Sequence, residues 1–269
     1  MAITALHAAA SGLRALSTQI DVVSNNLANA ETTAFKASRV NFQDLVYQEL
    51  RQPGTANAQG DVAPSGIFVG LGTRVDNTQI DLTQGSLQNT NRPLDVAIQG
   101  NGFFAIKVMP GFGNGIGYTR SGNFFVNNKS ELVLGIGEGY RLIPPINVPT
   151  GVSAVNIGQD GTVQVKQAGQ NTNRTIGQLQ LTQFVNPQGL QLLGGSIYQQ
   201  TDASGPPITT APGQQGAGLT EQGFLEQSNV DPVTELVSLI KTQRAFEMNS
   251  QSIQTADQAL KTVANLAHG

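Results

Sequence analysis

Reactive side chains are scarce in this chain, and their spacing leaves little chemistry to assemble. The two histidines, His7 and His268, stand at opposite ends, so neither a Ser-His-Asp relay nor a multi-histidine metal site can be built within one copy, and both rings are expected to be solvated. No cysteine is present, which removes disulfides, thiolate metal sites and thiol nucleophiles. The carboxylates are scattered, and no spacing singles out a general acid–base pair. The glycine run Gly111-Phe112-Gly113-Asn114-Gly115-Ile116-Gly117 lacks the Gly-x-Gly-x-x-Gly spacing, and no Gly-Lys-Ser/Thr follows it; it reads as a hairpin tip and not as a phosphate loop. Asn128-Lys129-Ser130 and Asn173-Arg174-Thr175 fit the glycosylation tripeptide, a weak signal. No catalytic, cofactor or metal site is assigned, and the expected chemistry is that of non-covalent assembly.

Composition points the same way. Hydrophobic residues make up 39% of the 269, enough for a real core, while only 12% are charged, about half the usual share. The surface must therefore be solvated by amides and hydroxyls. A formal charge of −3 from 15 basic and 18 acidic residues leaves no basic footprint for nucleic acid and no polybasic membrane patch. No stretch approaches the 18 or more apolar residues of a membrane span, so direct membrane insertion is not expected. Ala8-Ala9-Ala10-Ser11 has no preceding Lys or Arg and only a short apolar run, so no cleaved leader is expected either.

The elements that would carry assembly lie at the two ends. Leu6, Leu13, Ile20 and Leu27 recur every seventh residue, with Ala9, Leu16, Val23 and Ala30 each three further on, the a/d seam of a coiled coil. Near the other end Leu239, Phe246, Ile253 and Leu260 repeat at the same interval, joined by Ala256 and Val263. An isolated helix of either length is marginal in water, and Gly12 costs the first about 1 kcal/mol relative to alanine; the two stripes are expected to pair. Asp231 before Pro232 reads as an N-cap followed by a proline at the first helical position. The polar faces carry amides and hydroxyls, among them Asn25, Asn26 and Asn29 at one end and Gln243, Asn249, Ser250 and Gln251 at the other, where a solvated coiled coil usually carries Lys and Glu.

Between the ends the chain reads as extended structure. Residues 40–50 follow no clean period, and 51–65 contain Pro53, Gly54 and Pro64 with few apolar residues, so this stretch is a long loop or hairpin that needs neighbours. From about residue 73, short alternating runs separated by Gly, Asn, Asp and Pro clusters announce an all-β region, a distorted sandwich or barrel-like sheet. Asp160-Gly161 signals a type I′ hairpin turn. Residues 201–218, rich in Gly, Pro, Ser, Thr and Gln, read as an arm returning to the terminal helices. The expected fold is α+β and multidomain. It comprises a discontinuous helical domain of 1–36 with 231–269, an extended intermediate segment of 37–72, and a β domain of 73–230.

One resemblance spans the whole chain. Ser24-Asn25-Asn26-Leu27-Ala28-Asn29-Ala30-Glu31-Thr32-Thr33-Ala34-Phe35-Lys36 is similar to the signature of flagellar axial proteins, and the likeness continues at 94–104, 118–124, 222–230 and 243–250. It departs at Ala34, where the family usually carries glycine. The extension around Tyr47, Arg51, Pro53, Gly54 and Pro64 resembles the distal rod type and is missing from typical hook proteins.

The resemblance implies a subunit of the bacterial flagellar basal body and no enzymatic activity. It implies export by the flagellar export apparatus and homo-oligomerisation into a helical filament that spans the periplasm to the outer membrane. It also implies contacts with proximal rod proteins, the hook protein and the periplasmic and outer-membrane ring proteins. The assembly interface is then assigned to Leu6, Leu13, Leu16, Ile20, Val23, Asn25, Asn26, Leu27, Asn29, Phe35, Leu239, Phe246, Asn249, Ile253, Leu260 and Val263. The 47–65 extension is assigned a stiffening role. The rival readings are a proximal rod or hook protein, and a secreted adhesin or tail-fibre module.

Overall fold

The computed structural model describes residues 2–54, 64–109, 115–169 and 172–268; 111–114 of the glycine run and most of the 51–65 loop lie outside them. The chain forms two compact units, one built from Met1–Ala28, Ser38–Ile80 and Asp231–Gly269, the other from Asn29–Ala37 and Asp81–Val230. Two long helices and a mainly β centre make the fold α+β. Among the described residues no helix is long and apolar enough to cross a membrane.

The first unit contains helix α1 (Ala2–Ala28), strands β1 (Ser38–Asp44), β2 (Tyr47–Arg51), β3 (Ile67–Gly70) and β4 (Thr73–Ile80), and helix α2 (Pro232–His268). The start of α2 follows its sequence signals. Asp231 Oδ1 accepts the Val233 N–H at 3.0 Å and Oδ2 accepts the Thr234 hydroxyl at 2.7 Å, filling orphan groups of the first turn. Those bonds, the Thr234 hydroxyl foremost, hold the Asp231 carboxyl below its usual range.

Helices α1 and α2 pack on each other. A methyl on Gly12 would sit 3.4 Å from Asn249 Nδ2, and Asn26 Nδ2 meets Glu235 Oε1 at 3.2 Å. Moving forward along α1 thus moves back along α2 by an equal step, so the helices are antiparallel. Extended to the first residues of α1, this register reaches Ala259, and the last turns of the longer helix extend past it. Strand β1 pairs antiparallel with β4, and β2 with β3. Strand β4 therefore groups with the helices, inside the span expected for the β domain. Gly72 fits tightly against α1, where a side chain would collide with Ser11 Oγ; that hydroxyl accepts the Thr73 N–H at 3.1 Å.

The β unit is antiparallel throughout its named pairings. Among the described residues its largest sheet has nine strands, including 103–107, 116–119, 132–134, 141–143, 181–183 and 197–199, beside a three-stranded sheet of 152–157, 162–167 and 173–178. One apolar core joins them, with Ile98, Phe104, Ile106, Phe124, Leu132, Leu134, Ile146, Val163 and Leu181 at its centre. The hairpin at Asp160-Gly161 forms, yet its loop holds the four residues 158–161 between Ile157 and Thr162. Of these four residues Gly161 alone, at φ 79°, adopts the left-handed conformation, so the turn is not type I′, which needs two such residues. Asp160 closes it by accepting the Thr162 N–H and hydroxyl at 3.0 and 2.6 Å. Within 201–218, residues 208–210 form a strand beside 181–183 and the Gly218 N–H donates to Asn101 O at 2.7 Å.

Candidate functional site

The signature segment 29–37 leaves α1 and belongs to the β unit, not to the helical domain expected for it. Two consecutive turns shape it: Asn29 O accepts the Thr32 N–H at 3.1 Å and Thr32 O accepts the Phe35 N–H at 3.2 Å. Ala34 sits inside the second at φ 57°, fully buried, and its N–H donates to Glu226 O at 2.8 Å. The turn that glycine favours therefore forms with alanine, at a backbone cost of about 1–2 kcal/mol.

We expect Ala34→Gly to change stability by less than about 1 kcal/mol, because relief of that cost is offset by a lost buried methyl and a more flexible unfolded chain. Ala34→Val should cost about 3 kcal/mol or more, since a branched side chain fits neither the left-handed backbone nor the closed space. Urea unfolding of the two variants separates these outcomes, and equal stability would refute the turn geometry.

Below the turn lies a buried ionic triad. Lys36 Nζ bonds Glu226 Oε1 at 2.6 Å and Thr83 O at 2.5 Å. Arg120 Nε bonds Glu226 Oε2 at 2.9 Å, and its Nη2 bonds Gly100 O at 2.5 Å. The Gly85 N–H adds a further bond to Glu226 Oε1 at 3.0 Å. The side chains of Lys36 and Glu226 have no exposure at all, and that of Arg120 has 4%. Burial pulls the Lys36 ammonium below its ordinary 10.5, and the facing Glu226 carboxylate offsets part of that shift. A solvent-borne substrate cannot reach such a group, so the triad is a clamp: it fastens the signature segment to residues 83–85, 100, 120 and 226 through charge-assisted bonds.

The triad was not singled out from the sequence, although each member lies inside a quoted motif. The available signal was scarcity: Arg120 is the only charge in the motif 118–124, and Glu226 the only one in 222–230. Among the residues assigned to assembly, Val23 and Asn26 are buried, while Leu6, Leu13, Leu16, Ile20, Leu27, Asn29 and Phe35 are half-buried and Asn25 is exposed. Asn249 approaches Gly12 inside the chain. On α2, Leu239 and Ile253 are half-buried, Phe246 and Leu260 are 36% and 37% exposed, and the side chain of Val263 lies outside the described residues.

The exposed apolar row of α2 is another one: Val233, Leu236, Val237, Ile240 and Met248, at 45–69% exposure and at helical spacing. In the extension, Tyr47, Arg51, Pro53, Gly54 and Pro64 are all exposed, Arg51 Nη2 bonds Ser65 O at 3.2 Å, and Val46, Leu50, Ile67 and Phe68 present apolar side chains to solvent.

Three family descriptions match the chain. They are "Flagella basal body rod protein" over residues 6–36, "Flagellar hook protein FlgE/F/G D1 domain" over 97–165, and "Flagellar basal body rod FlgEFG protein C-terminal" over 221–266. The chain is 46% identical over 264 residues to "Flagellar basal-body rod protein FlgG" of Buchnera aphidicola subsp. Schizaphis graminum, across 98% of this chain and 100% of that one. It is 41% identical to the protein of the same name from Caulobacter vibrioides, across 97% and 98% of the two chains. The one from Bacillus subtilis is 36% identical across the same shares.

Proposed function

Because the chain belongs to the FlgG family of flagellar basal-body rod proteins, as a structural subunit of the basal body, we propose that its copies polymerise helically into the distal part of the rod. The product is a stiff hollow shaft that transmits torque and encloses an export channel. The observation that carries this reading is the exposed row Val233, Leu236, Val237, Ile240 and Met248 on α2. Leaving such a row in water forgoes roughly 1.5–3 kcal/mol for each large apolar side chain that burial would gain, and copies packed side by side through the terminal helices, as a coiled coil, remove it from solvent. Residues Leu6, Leu13, Leu16, Ile20, Leu27, Leu239, Phe246, Ile253 and Leu260, half-buried or partly exposed in one copy, complete that interface. The shaft adjoins proximal rod proteins at one end and the hook protein at the other, runs through the ring proteins from the periplasm to the outer membrane, and receives its subunits from the export apparatus; its role is mechanical and not enzymatic. Imaging of purified basal bodies tests this: density for this chain should follow a helical lattice with the terminal helices innermost, whereas a closed trimer would refute it.

The hairpin β2–β3 gives the shaft its stiffness. An isolated two-stranded ribbon is marginal in water, and this one exposes Val46, Tyr47, Leu50, Ile67 and Phe68, so it gains order by lying against neighbouring copies. Held there, its contacts oppose the sliding that bending requires. Deleting 52–65 should leave rods that assemble but curve in electron micrographs; straight rods of unchanged stiffness would make this segment a plain surface loop.

A further inference from the structure

Two side-chain amides hold the main chain on either side of one peptide bond. In the helical unit, Asn26 is 2% exposed; its Nδ2 donates to Ser38 O at 2.8 Å and its Oδ1 accepts the Ser38 N–H at 3.0 Å. Ser38 is thus paired as a neighbouring strand would pair it. The second Nδ2 proton reaches Glu235 Oε1 in the first turns of α2 at 3.2 Å. In the β unit, Asn229 Oδ1 accepts the Ala37 N–H at 2.8 Å, while its Nδ2 donates to Asp81 O at 2.9 Å and to Thr83 O and Oγ1 at 3.2 and 3.1 Å. The Asp81 N–H donates to Ala37 O at 2.7 Å. An amide suits both places because it alone among small side chains offers an acceptor and two donors without charge.

These contacts coincide with the places where the chain leaves one unit and enters the other, after Ala28, Ala37, Ile80 and Val230. Asn26 ties the ends at Ala28, Ser38 and α2, each within the helical unit; Asn229 ties those at Ala37, Asp81 and Val230, each within the β unit. We propose that Asn26 and Asn229 are positioning residues for load transfer. Force entering along the helices then leaves through crossings fastened by main-chain hydrogen bonds and not through slack linkers. The proposal rests on the shaft reading above.

The test uses the full-length chain with Asn26→Asp, Asn229→Asp, and Asn26→Asp combined with Glu235→Gln. Aspartate keeps the acceptor but sets a carboxylate against Ser38 O and Glu235; the glutamine then supplies a donor in place of the opposing carboxylate. In purified protein, Asn26→Asp should speed amide exchange at Ser38 by about tenfold or more with the melting of the β core unchanged, and the double variant should recover most of the protection. Asn229→Asp should do the same at Asp81.

In cells, rods should assemble in normal number while swimming speed in viscous medium falls by roughly half relative to the parent, and returns in the double variant. Unchanged speed under load, an unrescued double variant, or loss of rods in either single variant overturns the proposal. Failure of the shaft reading is distinguishable, because it would show in the parent strain as straight rods that lack this chain.

Discussion

Ile240→Asp is expected to abolish rod assembly and leave the purified chain folded. Ile240 is 51% exposed on α2, so in a single copy the new carboxylate stays in water and costs the helix less than about 0.7 kcal/mol of propensity. In the proposed shaft the same position would be covered by apolar side chains of neighbouring copies. A carboxylate there is desolvated without a partner, at several kcal/mol per subunit, and the loss repeats at every copy. Cells carrying the variant should be non-motile and lack rods distal to the first-built segment, while circular dichroism of the purified chain matches the parent. Ile240→Leu, which keeps the apolar surface, should assemble normally. Functional rods with aspartate at this position would show that the exposed row faces solvent in the assembly as well.

Glu226→Gln should destabilise the β unit more than Lys36→Met does. Its carboxylate accepts from Lys36, Arg120 and Gly85, so an amide in its place leaves an ammonium and a guanidinium buried without a counter-charge and turns an N–H toward one of them. Removing one partner of a buried pair costs about 3–5 kcal/mol. Lys36→Met is milder, about 1–3 kcal/mol, because Glu226 keeps Arg120 and Gly85 and the apolar stem still fills its space.

Unfolding can be followed by tyrosine emission, since the chain has no tryptophan and Tyr118 and Tyr198 are buried in this unit. If Lys36→Met proves the more damaging, Glu226 is held chiefly by neutral donors and the clamp is misassigned. The two changes together should cost less than the sum of their separate effects, because the second removes a charge that the first has stranded.

Some features of the fold are encoded locally. The cap at Asp231, the hairpin at 158–161 and the two helices follow from signals acting within a few positions: a carboxylate facing its own first turn, a glycine free to take positive φ, an apolar period. The type of turn at 158–161 was missed because the register of its strands, and not the Asp-Gly pair, sets the loop length. The outward face of α2 was missed for a related reason. The heptad Leu239, Phe246, Ile253 and Leu260 is present in the sequence, but which apolar residues of α2 are covered is decided by how its side chains pack against α1.

The sequence by itself determined what each segment can be and which reactive groups the chain lacks. With no cysteine and one histidine at each end, little chemistry was available; few charges and many amides required a surface solvated by neutral polar groups; two apolar stripes and a full set of axial-protein motifs pointed to assembly. Only the tertiary structure decided what those motifs hold. Lys36 meets Glu226 across 190 positions and Arg120 meets it across 106, and Asn26 reaches Glu235 across 209. No local period or cap encodes such pairs. They exist because burial makes an unpaired charge or amide costly, so the fold that brings these residues together is the one in which each finds its partner.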